Sequence, residues 1–170
     1  KIGIPAETYP GEARVAATPE TVKKLGGAGH AFLVQAGAGA GASIPDAEYE
    51  AAGATILPTA AEVYGQAEMV LKVRAPQGAE VPLLRNGQVL VGVLNRFDTA
   101  GLEAIAKQGA TAFALEAAPR ITRAQSMDVL SSQANIAGYK AVVTAADHYG
   151  RIDRKHTSEL QSHHDLVCRL

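Results

Sequence analysis

Residues 60–73, Ala-Ala-Glu-Val-Tyr-Gly-Gln-Ala-Glu-Met-Val-Leu-Lys-Val, carry a short helical segment at Ala60–Tyr64 and then an apolar run at Met69–Val73. The run is too short for an ordinary helix and is rich in Val and Leu, so it reads as a strand. The same alternation extends both ways. Upstream, Lys1–Ile4 and Ala31–Gln35 read as strands, and Pro19–Leu25 and Ala47–Ala52 as helices. Downstream, the strands Gln88–Leu94 and Thr111–Leu115 enclose a helix at Ala100–Gln108. Repeated strand–helix units with short loops predict an α/β fold, a Rossmann-like or flavodoxin-like parallel sheet with helices on both faces. The first helix has a marked beginning: Thr18 can cap it, Pro19 suits the first helical position and Glu20 favours the positive end of the dipole. Gly26-Gly27 marks its end, where a left-handed residue costs little.

The composition agrees with that architecture. A chain of 170 residues makes one ordinary domain with an appendage and can bury a real core. A hydrophobic fraction of 47% against a charged fraction of 19% places it among globular proteins rather than disordered chains. Much of the apolar content is Ala, which with abundant Gly lets helices sit close to strands. The net charge of -1 gives no reason to expect nucleic acid or an anionic membrane as partner. Cys168, the single cysteine, cannot form an internal disulfide and points to a reducing compartment. No apolar run approaches the ~20 residues that cross a bilayer, and Lys1–Pro5 is too short for a signal peptide. The chain is expected to be soluble, which leaves a membrane-bound partner open.

Beyond Gln125 the pattern changes. Ser126–Tyr149 contains no proline and a single glycine, Gly138, which predicts one long helix over 126–150. Val129, Ile136 and Val143 recur every seven residues, while Asp128, Ser131, Asn135 and Tyr139 share one polar face. After Gly150 there is no further Gly, and after Ala146 no Ala; the tail 151–170 is a different kind of sequence. The expected organisation is a domain over 1–125, a connecting helix over 126–150 and the tail.

Several motifs invite chemistry. Gly37-Ala38-Gly39-Ala40-Gly41-Ala42 fits the loose G-x-G-x-x-[GA] pattern, but Pro45 keeps Ile44 out of the helical region, so no helix opens directly behind the loop. No acid follows about 20 residues later to hold a ribose, and a tight glycine turn is the better reading. His156, His163, His164 and Cys168 match none of the usual zinc spacings, so no metal is expected. His30 and His148 lack neighbours that suggest catalysis. Arg14 and Lys72 stand at or beyond the carboxyl sides of strands, where open α/β sheets bind ligands. A lysine between Leu71 and Val73 is costly to bury unpaired; it is either a pocket cation or a snorkelling edge residue.

The densest polar run is Pro119-Arg120-Ile121-Thr122-Arg123-Ala124-Gln125-Ser126-Met127-Asp128, between the last strand and the long helix. Arg120 offers a fork, Gln125 and Ser131 neutral hydrogen bonds, and Asp128 an acceptor, a set suited to a polar ring such as nicotinamide. The competing reading is structural: Thr122 and Gln125 form a T-x-x-Q capping box and Asp128 suits a first helical turn.

This run, continued by Ser131-Ser132-Gln133-Ala134-Asn135-Ile136-Ala137-Gly138-Tyr139, resembles the signature of the alpha subunit of proton-translocating NAD(P) transhydrogenases. Ile2-Gly3-Ile4-Pro5 and Arg14-Val15-Ala16-Ala17-Thr18-Pro19 resemble the start of the alanine dehydrogenase and transhydrogenase superfamily, and Gly37-Ala38-Gly39 and Leu71-Lys72-Val73 fit the same framework. The resemblance covers about 1–150. It implies a direct hydride transfer between NAD(H) on this component and NADP(H) on a partner component, coupled to proton movement through a membrane component. It further implies that Arg120, Gln125, Asp128 and Ser131 contact the nicotinamide end of NAD(H), with no catalytic acid or base and no metal on this chain. The whole protein would be a homodimer, cytoplasmic and peripheral to the inner (plasma) membrane through its complex.

In alanine dehydrogenase, the other branch, Arg14 and Lys72 match the residues that hold the substrate carboxylate, and a catalytic histidine follows the strand that ends here at Val93-Leu94. This chain has Asn95-Arg96-Phe97 there, which favours transhydrogenase. The family's second, Gly-rich dinucleotide domain has no counterpart after Gly150. The chain by itself is therefore expected to be inactive and to bind NAD(H) weakly or not at all. The alternatives are an alanine dehydrogenase-like fragment and an inert interaction module.

Overall fold

The structure, a computed structural model, describes residues 1–119 and 121–149, which fall into two compact units, Lys1–Val129 and a second beginning at Leu130. In the first unit six strands, β1 (Ile2–Ile4), β2 (Phe32–Gln35), β3 (Thr55–Leu57), β4 (Met69–Arg74), β5 (Val89–Val93) and β6 (Thr111–Ala114), form one sheet. Every pairing is parallel, in the order β3-β2-β1-β4-β5-β6. That is the Rossmann order, so of the two expected arrangements the flavodoxin one is not taken. The reversal lies between β1 and β4, the switch point of the sheet.

Alternation along β2 shows how two layers form. Phe32 and Val34 join one core with Ile4, Val22 of helix α1 (Pro19–Gly26) and Tyr49 of helix α2 (Asp46–Ala51). Leu33 points the other way, into a core with Tyr64 of helix α3 (Ala60–Gln66), Val70, Leu90 and Ile105 of helix α4 (Thr99–Lys107). The layers are close. A Cβ on Gly3 would stand 2.7 Å from the Ala67 Cβ and 2.8 Å from the Val63 Cγ1, so α3 reaches β1 only because residue 3 is glycine.

Local differences from expectation have local causes. Thr18 caps α1 by accepting from the Thr21 N–H, as its sequence predicts. Gly27, however, is right-handed (φ -62°), and the left-handed residue of this turn is Gly29 (φ +92°). β3 is not legible in the sequence: three residues show no period, and Thr55–Leu57 becomes a strand because β2 supplies its hydrogen bonds. The long helix, α5, runs Val129–His148 rather than from 126. Thr122–Met127 is instead a 3-10 turn preceded by Ile121 with no side-chain cap, so the T-x-x-Q capping box does not form. No residue of α5 is buried. The tail 151–170 lies outside the described residues. Among the described residues no helix is long and apolar enough to cross a membrane.

Candidate functional site

The carboxyl edge of β1 and β4 carries the densest charge in the first unit. Lys72, on the α3 face of β4, has a side chain only 1% exposed, so its ammonium must be matched. Glu80 meets it at 2.5 Å and Glu7 at 3.7 Å. The Glu80 carboxylate also accepts the Thr8 hydroxyl and the Gln77 N–H, both at 2.8 Å, and faces the Tyr64 hydroxyl at 3.5 Å. Glu7, just beyond β1, accepts the Val73 N–H at 2.7 Å and the Arg74 N–H at 3.2 Å, tying the ends of the two switch-point strands together. Burial pushes the Glu7 carboxyl above its ordinary range, opposed by those amides and by Lys72. Burial and the nearby Glu80 likewise push the Tyr64 hydroxyl far up, so it stays a neutral donor.

A second layer lies outward. Glu12 accepts the Arg14 guanidinium at 2.7 and 2.6 Å, the Arg14 backbone N–H at 3.1 Å and the Arg74 guanidinium at 3.0 Å. Its hydrogen bond from Arg14 above all holds its carboxyl down at about 2, and the same contact raises Arg14. Arg74 stacks over the Tyr9 ring at 5.3 Å. The structure thus brings Arg14 and Lys72 into one network of three cations and three carboxylates. Lys72 is not a snorkelling edge residue: it stands on an inner strand, its side chain buried and charge-matched by the chain itself.

The carboxylates Glu7, Glu12 and Glu80 are partners of Arg14 and Lys72 that sequence reasoning misses, although an apolar-flanked lysine calls for an acidic partner. Nothing in spacing connects residue 7 to residue 72; the parallel pairing of β1 with β4 does that.

The glycine turn after β2 is closed internally. The Gly37 N–H, which a phosphate would need, donates to both Asp46 oxygens, at 2.9 and 3.0 Å. A cavity of about 420 Å³ lined by Gly37, Ala40, Ser43, Ile44, Pro45 and Asp46 adjoins it. With a carboxylate already at its amide, the turn is no seat for a second anion, in line with the reading of a plain tight turn.

Beyond β5, Asn95 takes a left-handed conformation (φ 56°), and Arg96 stacks on the exposed Phe97 ring at 4.7 Å. The segment 121–127, between β6 and α5, presents exposed Ile121, Gln125 and Met127 around one buried residue, Ala124. Gln125 accepts the Asp128 N–H through its backbone oxygen. Arg120 lies outside the described residues, and Ser131 belongs to the second unit. Among the described residues no group of three or more His, Cys, Asp or Glu could hold a metal.

Comparison with known proteins adds an independent line. A family model described as "Alanine dehydrogenase/PNT, N-terminal domain" matches residues 3–137. The chain is 50% identical over 157 residues to an NAD(P) transhydrogenase alpha subunit chain of Rhodospirillum rubrum, covering 89% of this chain and 41% of that protein. It is 39% identical over 152 residues to alanine dehydrogenase of Mycobacterium tuberculosis, covering 89% and 40%. Among solved structures it superposes on a transhydrogenase from Sinorhizobium meliloti with a TM-score of 0.83 at 49% identity, covering 88% of this chain and 45% of that one. An L-alanine dehydrogenase matches with a TM-score of 0.65 at 36% identity over 68% of this chain and 32% of the other. The chain spans less than half the length of these relatives.

Proposed function

Because the chain belongs to the alanine dehydrogenase/PNT N-terminal domain family, we propose that it is the leading segment of the NAD(H)-binding component of a proton-translocating NAD(P) transhydrogenase. The observation that carries this reading is the 50% identity to a transhydrogenase alpha subunit across 89% of the chain, against 39% to an alanine dehydrogenase. In the whole protein, the partners are an NADP(H)-binding component and a membrane component, the assembly is a homodimer, and the chain sits at the cytoplasmic side of the inner membrane.

The chain's own residues fit one end of the cofactor. The exposed Gln125 amide and the Asp128 carboxylate are complementary to a ring bearing a carboxamide, with Arg120 and Ser131 as further contacts. The cofactors supply the hydride chemistry, and the protein's role is position and orientation. No proton carrier is needed on this chain for such a transfer. Chemistry on pyruvate does need one, and the position after β5 holds Asn95. The glycine turn gives the other end of the cofactor no free amide at Gly37, since Asp46 already accepts it. The chain alone is therefore expected to bind NAD(H) weakly or not at all, and to be inactive.

Isothermal calorimetry with NADH, on this chain and on a form extended through a Gly-rich dinucleotide domain, tests the reading. Binding confined to the extended form, and lost on Asp128→Asn or Arg120→Ala, is the expected result. Equal binding by both forms would return the glycine turn or another surface to consideration.

A further inference from the structure

The root of the 121–128 loop is held by a carboxylate that the function above does not use. Glu116 lies in the 3-10 turn Leu115–Ala117 that follows β6 directly. Its Oε1 accepts the Arg96 N–H at 3.0 Å and the Leu94 N–H at 3.1 Å, and its Oε2 lies 3.2 Å from the Leu94 nitrogen. Leu94 is part of the core, so its amide is fixed to the scaffold. Asn95, between the two donors, is left-handed, a conformation that Asn tolerates better than most residues. Two N–H groups converging around a left-handed residue make an anion-binding concavity, and here the anion is the chain's own glutamate. Charge-assisted hydrogen bonds of this kind are about twice as strong as neutral ones.

What surrounds Glu116 in sequence is thinly held. β6 is an edge strand on which Thr111, Ala112 and Phe113 are exposed, and from Ile121 to Met127 only Ala124 is buried. A single side chain reaching back 20 residues to the end of β5 therefore has leverage over where the loop begins.

We propose that Glu116 is a positioning residue, clamping the root of the nicotinamide-facing loop to the β5 turn so that Gln125 and Asp128 are carried at a set place above the carboxyl edge of the sheet. The role rests on the NAD(H) reading above; the clamp itself does not. The clamp is tested on the 170-residue chain, by amide hydrogen exchange at Leu94 and Arg96 and by tryptic cleavage after Arg123 resolved by mass spectrometry. Glu116→Ala should remove the protection of both amides and speed cleavage after Arg123 by about tenfold. Glu116→Gln keeps the Oε1 acceptor and should return cleavage to within about threefold of the unsubstituted rate. Ile105→Val, which loosens the neighbouring core without touching the clamp, should leave it unchanged. Cleavage of the Ala variant at the unsubstituted rate, or equal acceleration by Ile105→Val, would overturn the clamp.

The second readout separates the two claims. In the form extended through a Gly-rich dinucleotide domain, NADH should shift the amide resonances of Gln125 and Asp128, with an apparent Kd raised about tenfold by Glu116→Ala and restored by Gln. No shift in the extended form would sink the NAD(H) reading and with it the positioning role, while exchange and cleavage on the 170-residue chain would still decide the clamp.

Discussion

Two polar regions stand at the carboxyl edge of the same sheet, and they are built on opposite principles. At the switch point, Lys72, Glu7 and Glu80 are buried and each charge is answered within a few ångströms. Beyond β6, Gln125 and its neighbours are exposed around one buried alanine. The first region has turned its polar groups on itself and holds strands together; the second sets polar side chains, Gln125 among them, at the surface. Charge density at the switch point thus accompanies an internal bracing of the fold.

The largest expected effect breaks the buried side of that contrast. Glu80→Ala leaves Lys72 with only the more distant Glu7, and should cost about 3–5 kcal/mol, read as a fall in the urea midpoint. Lys72→Met combined with Glu80→Leu should cost less than the two single changes added, because the charge is removed together with its partner. Next comes the packing beneath the network. A Cβ on Gly92 would meet the Lys72 carbonyl oxygen at 2.5 Å, so Gly92→Ala should cost about 2 kcal/mol by forcing β4 and β5 apart.

The outer layer should show in pH dependence. Glu12 is depressed to about 2 in the fold, so its contribution is present above its ordinary value of 4.5 and is lost as pH falls from there toward 2. Since Arg14 and Arg74 are both 45% exposed, solvent screens the pair and the effect is about 1 kcal/mol. Glu12→Gln should flatten the acid limb of a stability–pH curve by that amount. Glu7 runs the other way: its carboxyl is raised, so its contribution is full below the ordinary value and lost as pH rises through the raised one. Glu7→Gln should therefore make the acid loss steeper.

The smallest stability change belongs to the exposed region. Gln125→Ala should alter the unfolding free energy by less than about 0.5 kcal/mol. The same substitution should erase the NADH-dependent amide shifts at residue 128. A large stability loss on Gln125→Ala would erase the distinction between the two regions.

How much of this is readable from the sequence follows from the range of the forces involved. The strands β4 and β5 and the Thr18 cap are legible because period and capping act within a few residues. The run 120–128 stands out through its residue types, yet its local form does not: a capping box is written in Thr122 and Gln125, and the chain makes a 3-10 turn that α5 follows only from Val129. The anchors Glu7, Glu80 and Glu116 carry no signal of their own, because their partners lie 66, 8 and 20 residues away.

The sequence by itself determined the alternation of strands and helices, the absence of a histidine after β5 and the kinship with the transhydrogenase and alanine dehydrogenase family, all written in local order and composition. Only the tertiary structure decided the Rossmann strand order, the short strand β3, the burial of Lys72 between two carboxylates and the closing of the glycine turn by Asp46. Each of those depends on which segments become neighbours when parallel strands pair across the switch point, and a buried charge or an unfilled amide selects its partner only once the fold has brought the candidates within hydrogen-bonding reach.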